Sequence, residues 1–294
     1  MHQIRTDIAQ RLRKRAEEVE QALTNALVPQ SPEPAIARLQ EGMAYALTGG
    51  GKRMRPFLLL ETAEIFGAGE GAMDAAVALE MIHAYSLVHD DLPAMDDADT
   101  RRGKPSVHKQ YDEAIAVLVG DALLTEAFTV LSRYESPLAG GLVRELSLAS
   151  GMVGMVGGQM MDLYPEGQTE EHIISLQAKK TGALIECAVT MGCLIGGALD
   201  QETEALRSYA RSLGLAFQIA DDLLDVTQSA EDIGKPAGRD EEQGKATFVS
   251  LLGIDGARAK LDAVNAEAAA ALGSVERDTS VLEDLLAWQA NRTS

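Results

Sequence analysis

The sequence predicts an all-α protein. Alanine, leucine and glutamate are abundant among the 294 residues and β-branched runs are scarce. Apolar residues recur at three- and four-residue spacing along most of the chain, the period of a helix with one buried face. Clusters of glycine, proline and aspartate interrupt that period at intervals, as connections between helices do.

Taken in order, those clusters are "VPQSPEP" (28–34), "TGGGKRMRP" (48–56), "FGAGEG" (66–71), "MDDADTRRGKP" (95–105), "YPEGQ" (164–168) and "DIGKPAGRDEEQG" (232–244). Each separates two helical patterns. Ala78, Met81, Ile82, Tyr85 and Val88 trace one apolar face, and Leu213, Phe217, Ala220 and Leu224 trace a second. The run 183–199 is nearly apolar but contains Glu186 and is too short for a membrane span, so it reads as a buried helix. There is no repeat, low-complexity tract or change of composition. The expectation is therefore one domain, 1–294, built as a large helix bundle.

Hydrophobic residues make up 46% and charged residues 24%, a globular composition that excludes general disorder. The formal charge of −19 argues against a nucleic-acid partner, which needs a basic face. Two cysteines, Cys187 and Cys193, are too few for a disulfide framework. The N-terminal segment has no apolar signal core, so a cytoplasmic protein without stable membrane insertion is expected.

Against that acidic background the distribution of charge is informative. "HDDLPAMDDADTRRGKP" (89–105) holds five aspartates. Asp90 and Asp91 close an apolar helical pattern, and Pro93 ends the helix, which swings Asp96 back toward Asp90. Converging carboxylates repel unless a cation lies between them. Oxygen-only ligands fit Mg²⁺ or Ca²⁺ rather than zinc, and an EF-hand fails because Arg101 falls at the fifth loop position from Asp97. Asp97 and Asp99 read as solvated residues that help the segment turn. Further on, Gln218, Asp221, Asp222 and Asp225 stand at offsets 0, 3, 4 and 7, a single polar stripe opposite an apolar face.

Basic residues are concentrated in "GGGKRMRP" and "TRRGKP". The first is not a Walker A loop, because Arg53 follows Lys52 where Ser or Thr is required. Glycines 49 to 51 let backbone approach a ligand while Lys52 and Arg55 supply charge. His83 lies two helical turns before Asp90 and reads as a core histidine or a donor to a phosphate oxygen. Carboxylate sets, a divalent cation and arginine clusters together suit a diphosphate substrate.

These motifs, with "GGQMMDL" (157–163), "KTGALIE" (180–186), "FQIADDLLD" and "GKATF" (244–248), occur in the order found in the trans-isoprenyl diphosphate synthases. The chain resembles that family over most of its length. The resemblance implies an isoprenoid-synthase helix bundle around a deep cavity, a homodimer, and Mg²⁺ held by Asp90, Asp91, Asp96, Asp221, Asp222 and Asp225. It implies that Gly51, Lys52, Arg55, His83 and Arg102 hold isopentenyl diphosphate. Arg101, Lys180, Thr181, Gln218, Lys235 and Lys245 match positions at the allylic diphosphate; all of these except Lys235 are also expected to act in catalysis. Gln159 and Asp162 support the site. Tyr85, with Ser86 beside it, stands roughly 6 to 8 Å before Asp90 along the helix, at 1.5 Å per residue, and resembles the floor of bacterial farnesyl diphosphate synthases. The expected product is farnesyl diphosphate (C15), with geranylgeranyl diphosphate (C20) the alternative and a non-catalytic helical subunit the remote one. Phe248, where a tyrosine is common, and the tail "WQANRTS" depart from the family pattern.

Overall fold

The computed structural model describes residues 2–27, 32–48, 50–165, 167, 169–227 and 247–290. Lys235, Lys245 and the 232–244 segment lie outside the described residues, as does Gly49. The helices are α1 (His2–Ala26), α2 (Pro34–Leu47), α3 (Met54–Ile65), α4 (Met73–Asp90), α5 (Val107–Gln110), α6 (Glu113–Leu131), α7 (Leu138–Ser150), α8 (Met155–Leu163), α9 (Glu170–Gln177), α10 (Ala183–Gly196), α11 (Asp200–Thr227), α12 (Phe248–Gly273) and α13 (Ser280–Ala290). The described residues form an all-α fold, as the periodicity predicts. One element escapes that period. Strands β1 (Thr100–Arg101) and β2 (Lys104–Pro105) form a small antiparallel hairpin between α4 and α5.

Contacts within the chain divide it into two compact units, 9–146 with 191–197, and 1–8 with 147–190 and 198–294. In the first, α3 and α4 are buried nearly all round: Phe57 to Leu60 and Ala75 to Ala78 are each 2% exposed or less. The predicted α4 face of Ala78, Met81, Ile82, Tyr85 and Val88 is buried throughout. α4 packs along α6. Gly120 is required at their contact, because a Cβ there would lie 2.0 Å from His89 Nε2. By length and composition α6 is apolar enough to cross a membrane, a feature the reading of 183–199 overlooked. Its Ala116, Val119, Leu123, Ala127 and Val130 are fully buried within the fold. Helix α1 is pinned by charge: Arg11 and Arg15 both donate to Glu61 of α3, which is 2% exposed.

In the second unit α11 packs along α12. Its core holds Ala216, Ile219, Ala220 and Leu223 with Ile173, Phe248, Ala257, Leu261 and Val264. This corrects the apolar face expected of α11. Leu213 and Ala220 are buried, but Phe217 and Leu224 are only half-buried. At about 100° per residue the buried arc is turned roughly 70° from the expected one, which places it almost opposite the Gln218–Asp225 stripe. The polar stripe, not the largest apolar side chains, sets the rotation of the helix.

Candidate active site

In the first unit, α4 ends at Asp90 and the chain folds back sharply. The Asp96 N–H donates to the Asp90 carbonyl at 2.8 Å and Ala98 N–H to the Asp91 carbonyl at 3.1 Å, so the expected return of Asp96 to Asp90 occurs through the backbone. Asp97 sits in the left-handed region at φ 45°. Asp99 is exposed and pairs with Lys109 at 2.8 Å. Both are turn-forming residues, as expected. Asp91 is buried, and Arg101 from β1 grips it, with Nε 3.0 and 3.2 Å from its two oxygens. Among the described residues no three His, Cys, Asp or Glu side chains come together as a metal-binding group. The Asp91–Arg101 pair accounts for this in the first motif, where the guanidinium supplies the positive charge that separate carboxylates need. The donors themselves are all oxygen, which suits a hard cation.

The hairpin explains why adjacent arginines part company. Arg102 (φ 54°) and Gly103 (φ 75°) are both left-handed, the pattern of a tight two-residue hairpin turn. Arg101 faces Asp91, while Arg102 reaches the glycine loop and donates to the Gly50 carbonyl at 2.5 Å. A Cβ on Gly51 would lie 3.0 to 3.3 Å from that guanidinium, so glycine is needed there for both φ (+134°) and space. Arg101 and Arg102 also line a small solvent-open recess with Thr48, Ala84, Leu87 and Asp91.

Beside this loop, Arg55 Nη1 lies 3.3 Å from His83 Nε2. A guanidinium only donates, so Nε2 accepts and the imidazole proton sits on Nδ1. Burial, then the charges of Arg55 and Arg102, pushes His83 well below its ordinary pKa. It is therefore neutral at pH 7, a hydrogen-bonding group rather than a charge.

The four arginines of the glycine loop and the hairpin, Arg53, Arg55, Arg101 and Arg102, fall into two classes. Burial alone would lower Arg53 and Arg101, yet Glu80 with Glu20 raises the first and Asp91 raises the second. Arg55 is lowered by burial and by Arg102, and Arg102 by desolvation and by Arg53. Their Coulombic attraction to Glu80 does not reverse either shift. Arg55 Nε is buried without a hydrogen-bond partner. Two cations thus converge on His83 and Gly51 without full compensation from the chain, and within "GGGKRMRP" Arg53 pairs with Glu20 and Glu80 while Arg55 meets His83. Tyr85 is 7% exposed, its ring edge-on to His89 at 5.9 Å, with Ser86 half-buried beside it.

In the second unit, Lys180 and Thr181 lie in a π-helical turn, Ala178–Gly182, between α9 and α10. Such turns displace side chains from the α-helical register and recur at functional sites. Lys180 Nζ pairs with Asp162 Oδ2 of α8 at 2.7 Å. Both polar atoms of the Gln159 side chain are buried without a hydrogen-bond partner. On α11, Gln218, Asp221, Asp222 and Asp225 are all half-buried. One Asp222 oxygen accepts from the Phe248 N–H at 2.8 Å, where α12 begins.

Glu80 was not anticipated by the motifs. Its signal is a lone carboxylate in the apolar run "AVALEMIH", one turn before His83.

Residues 36–284 match the family described as polyprenyl synthetase. The chain belongs to that family. By that membership it is a prenyltransferase. It is 47% identical over 241 residues to geranylgeranyl pyrophosphate synthase 9, chloroplastic, of Arabidopsis thaliana, covering 78% of this chain and 67% of that protein. It is 44% identical over 262 residues to geranylgeranyl pyrophosphate synthase, chloroplastic, of Catharanthus roseus, covering 86% and 72%. Among solved polyprenyl synthetase structures, an FPP/GFPP synthase from Zymomonas mobilis superposes with a TM-score of 0.85 at 38% identity, covering 96% of this chain and 98% of that one.

Proposed function

We propose that this prenyltransferase condenses isopentenyl diphosphate head-to-tail with allylic diphosphates, and that its end product is geranylgeranyl diphosphate. The observation that carries the condensation is the convergence of Arg55 and Arg102 on neutral His83 and Gly51, incompletely compensated by carboxylates. A diphosphate completes that charge balance, and guanidinium groups suit its oxygens. The plant relatives, named for the C20 product, support geranylgeranyl over the farnesyl product expected from the sequence.

Each residue then has a chemical task. Arg55, Arg102 and Lys52 hold the isopentenyl diphosphate, with His83 Nδ1–H as a further donor. Arg101 meets the negative charge that develops on the allylic diphosphate as its C–O bond breaks and the electron pair leaves with it. The isopentenyl double bond attacks the allylic cation, and the released diphosphate accepts the proton that is lost. Asp90, Asp91 and Asp96 suit Mg²⁺, as do Asp221, Asp222 and Asp225 on α11; when bound, the ion would supply positive charge to the diphosphate leaving group.

One observation favours a second reading. Tyr85 is a buried aromatic five residues before Asp90, about 7.5 Å along α4, where it would stop chain growth at farnesyl diphosphate. Incubation of the purified protein with Mg²⁺, isopentenyl diphosphate and geranyl diphosphate, followed by chromatography, tests both. A dominant C20 product is expected. A dominant C15 product overturns it in favour of the second reading, and no condensation refutes both. If the dominant product is C15, Tyr85→Ala is expected to lengthen it by at least one C5 unit; an unchanged distribution shows that Tyr85 does not limit growth.

A further inference from the structure

Arg53 is the one arginine of the glycine loop turned away from the proposed diphosphate. It is 4% exposed and stands in the left-handed region at φ 45°, immediately before α3. Its guanidinium reaches three helices at once: Glu80 of α4, Glu20 of α1 at 2.5 and 3.1 Å, and the carbonyl of Leu47 at the end of α2. Glu80 is itself 2% exposed. It lies one turn before His83 on the same face of α4, and it is the carboxylate that acts on Arg55.

We propose that Arg53 is a positioning residue for the isopentenyl diphosphate site, which by occupying Glu80 and Glu20 keeps Arg55 available for the diphosphate. This rests on the functional reading given above and adds a residue to it. Without Arg53, Glu80 is a buried, unneutralised carboxylate whose remaining cationic neighbours are Arg55 and Arg102. A buried charge in that position takes whatever partner it can reach. Arg55 is then drawn onto Glu80 and lost to the substrate. Lysine does not replace Arg53, because an ammonium lacks the planar fork that serves Glu80, Glu20 and Leu47 together.

Arg53→Met and Arg53→Met/Glu80→Gln distinguish this from a purely structural role. Isopentenyl diphosphate binding is measured by titration calorimetry, KM for each substrate by steady-state kinetics, and folding by thermal melting. Arg53→Met is expected to weaken isopentenyl diphosphate binding and raise its KM by about tenfold or more, with the allylic KM little changed. The double variant removes the stranded charge and is expected to recover most of that loss. If Arg53→Met does not fold, the double variant alone decides, because a folded double variant with wild-type-like affinity requires that Arg53 act through Glu80. Unchanged binding in Arg53→Met, or a folded double variant that still binds poorly, overturns the proposal. Failure of the wild-type chain to bind isopentenyl diphosphate overturns the functional reading itself, and the positioning role with it.

Discussion

Asp222→Asn is expected to reduce turnover by about 10³-fold while leaving the melting temperature close to wild type; Asp222→Ala is expected to lose both activity and stability. The difference follows from the two demands on this side chain. One oxygen accepts the Phe248 N–H at the start of α12, a bond between the two helices that form the core of the second unit. An asparagine carbonyl still accepts that bond, so the helix start survives. Alanine does not, and loss of an acceptor at a helix start costs about 1 kcal/mol. The proposed catalytic demand is different, because it needs a negative oxygen toward a cation, and removal of one electrostatic contributor to a transition state commonly costs about 10²- to 10³-fold. Steady-state turnover with Mg²⁺ and thermal denaturation of both variants provide the check. Near-wild-type turnover in Asp222→Asn would show that Asp222 serves α12 alone.

The second large effect is expected from a residue with no side chain. A Cβ on Gly158 would lie 2.2 Å from the backbone nitrogen of Lys180 and 2.6 Å from its Cα. Those are backbone atoms, which cannot rotate aside as a side chain would. Gly158→Ala is therefore expected to destabilise the protein by about 3 kcal/mol, the upper end for overpacking, seen as a melting temperature lower by several degrees. Because the displaced segment is the π turn that carries Lys180 and Thr181, activity should fall with stability. An unchanged melting temperature would show that α8 and the π turn do not approach this closely.

Much of this was legible in the sequence, and the physical reasons differ by residue. Helix placement was readable because burial along a helix repeats every three to four residues, so Ala78 to Val88 announced their own face. The return of Asp96 was readable because Pro93 acts locally. The rotation of α11 was misjudged because Phe217 is the largest apolar residue in reach, and size carries no information about which side a neighbour covers. Ala216, Ile219 and Leu223 occupy the covered side because α12 comes close. The hairpin was missed because it depends on a left-handed Arg102, a conformation that arginine does not advertise. The partners of Arg53 and Asp91 were missed for a different reason. Glu80 is 27 residues from Arg53, and one charge among many in a chain of −19 does not name its counter-ion.

The anchoring of α1 bears on where this protein begins as a folded object. The stretch recognisable as polyprenyl synthetase opens at residue 36. The physical integrity of the first unit opens earlier. Arg11 and Arg15 neutralise Glu61, Glu20 shares Arg53 with Glu80, and Val19 and Leu23 are fully buried. A chain cut at the family boundary would leave one buried glutamate stripped of its counter-ions and would open the core beneath it. Kinship and foldability therefore have different borders in this chain, and the helix that carries no family signature is part of what holds Arg53 in place.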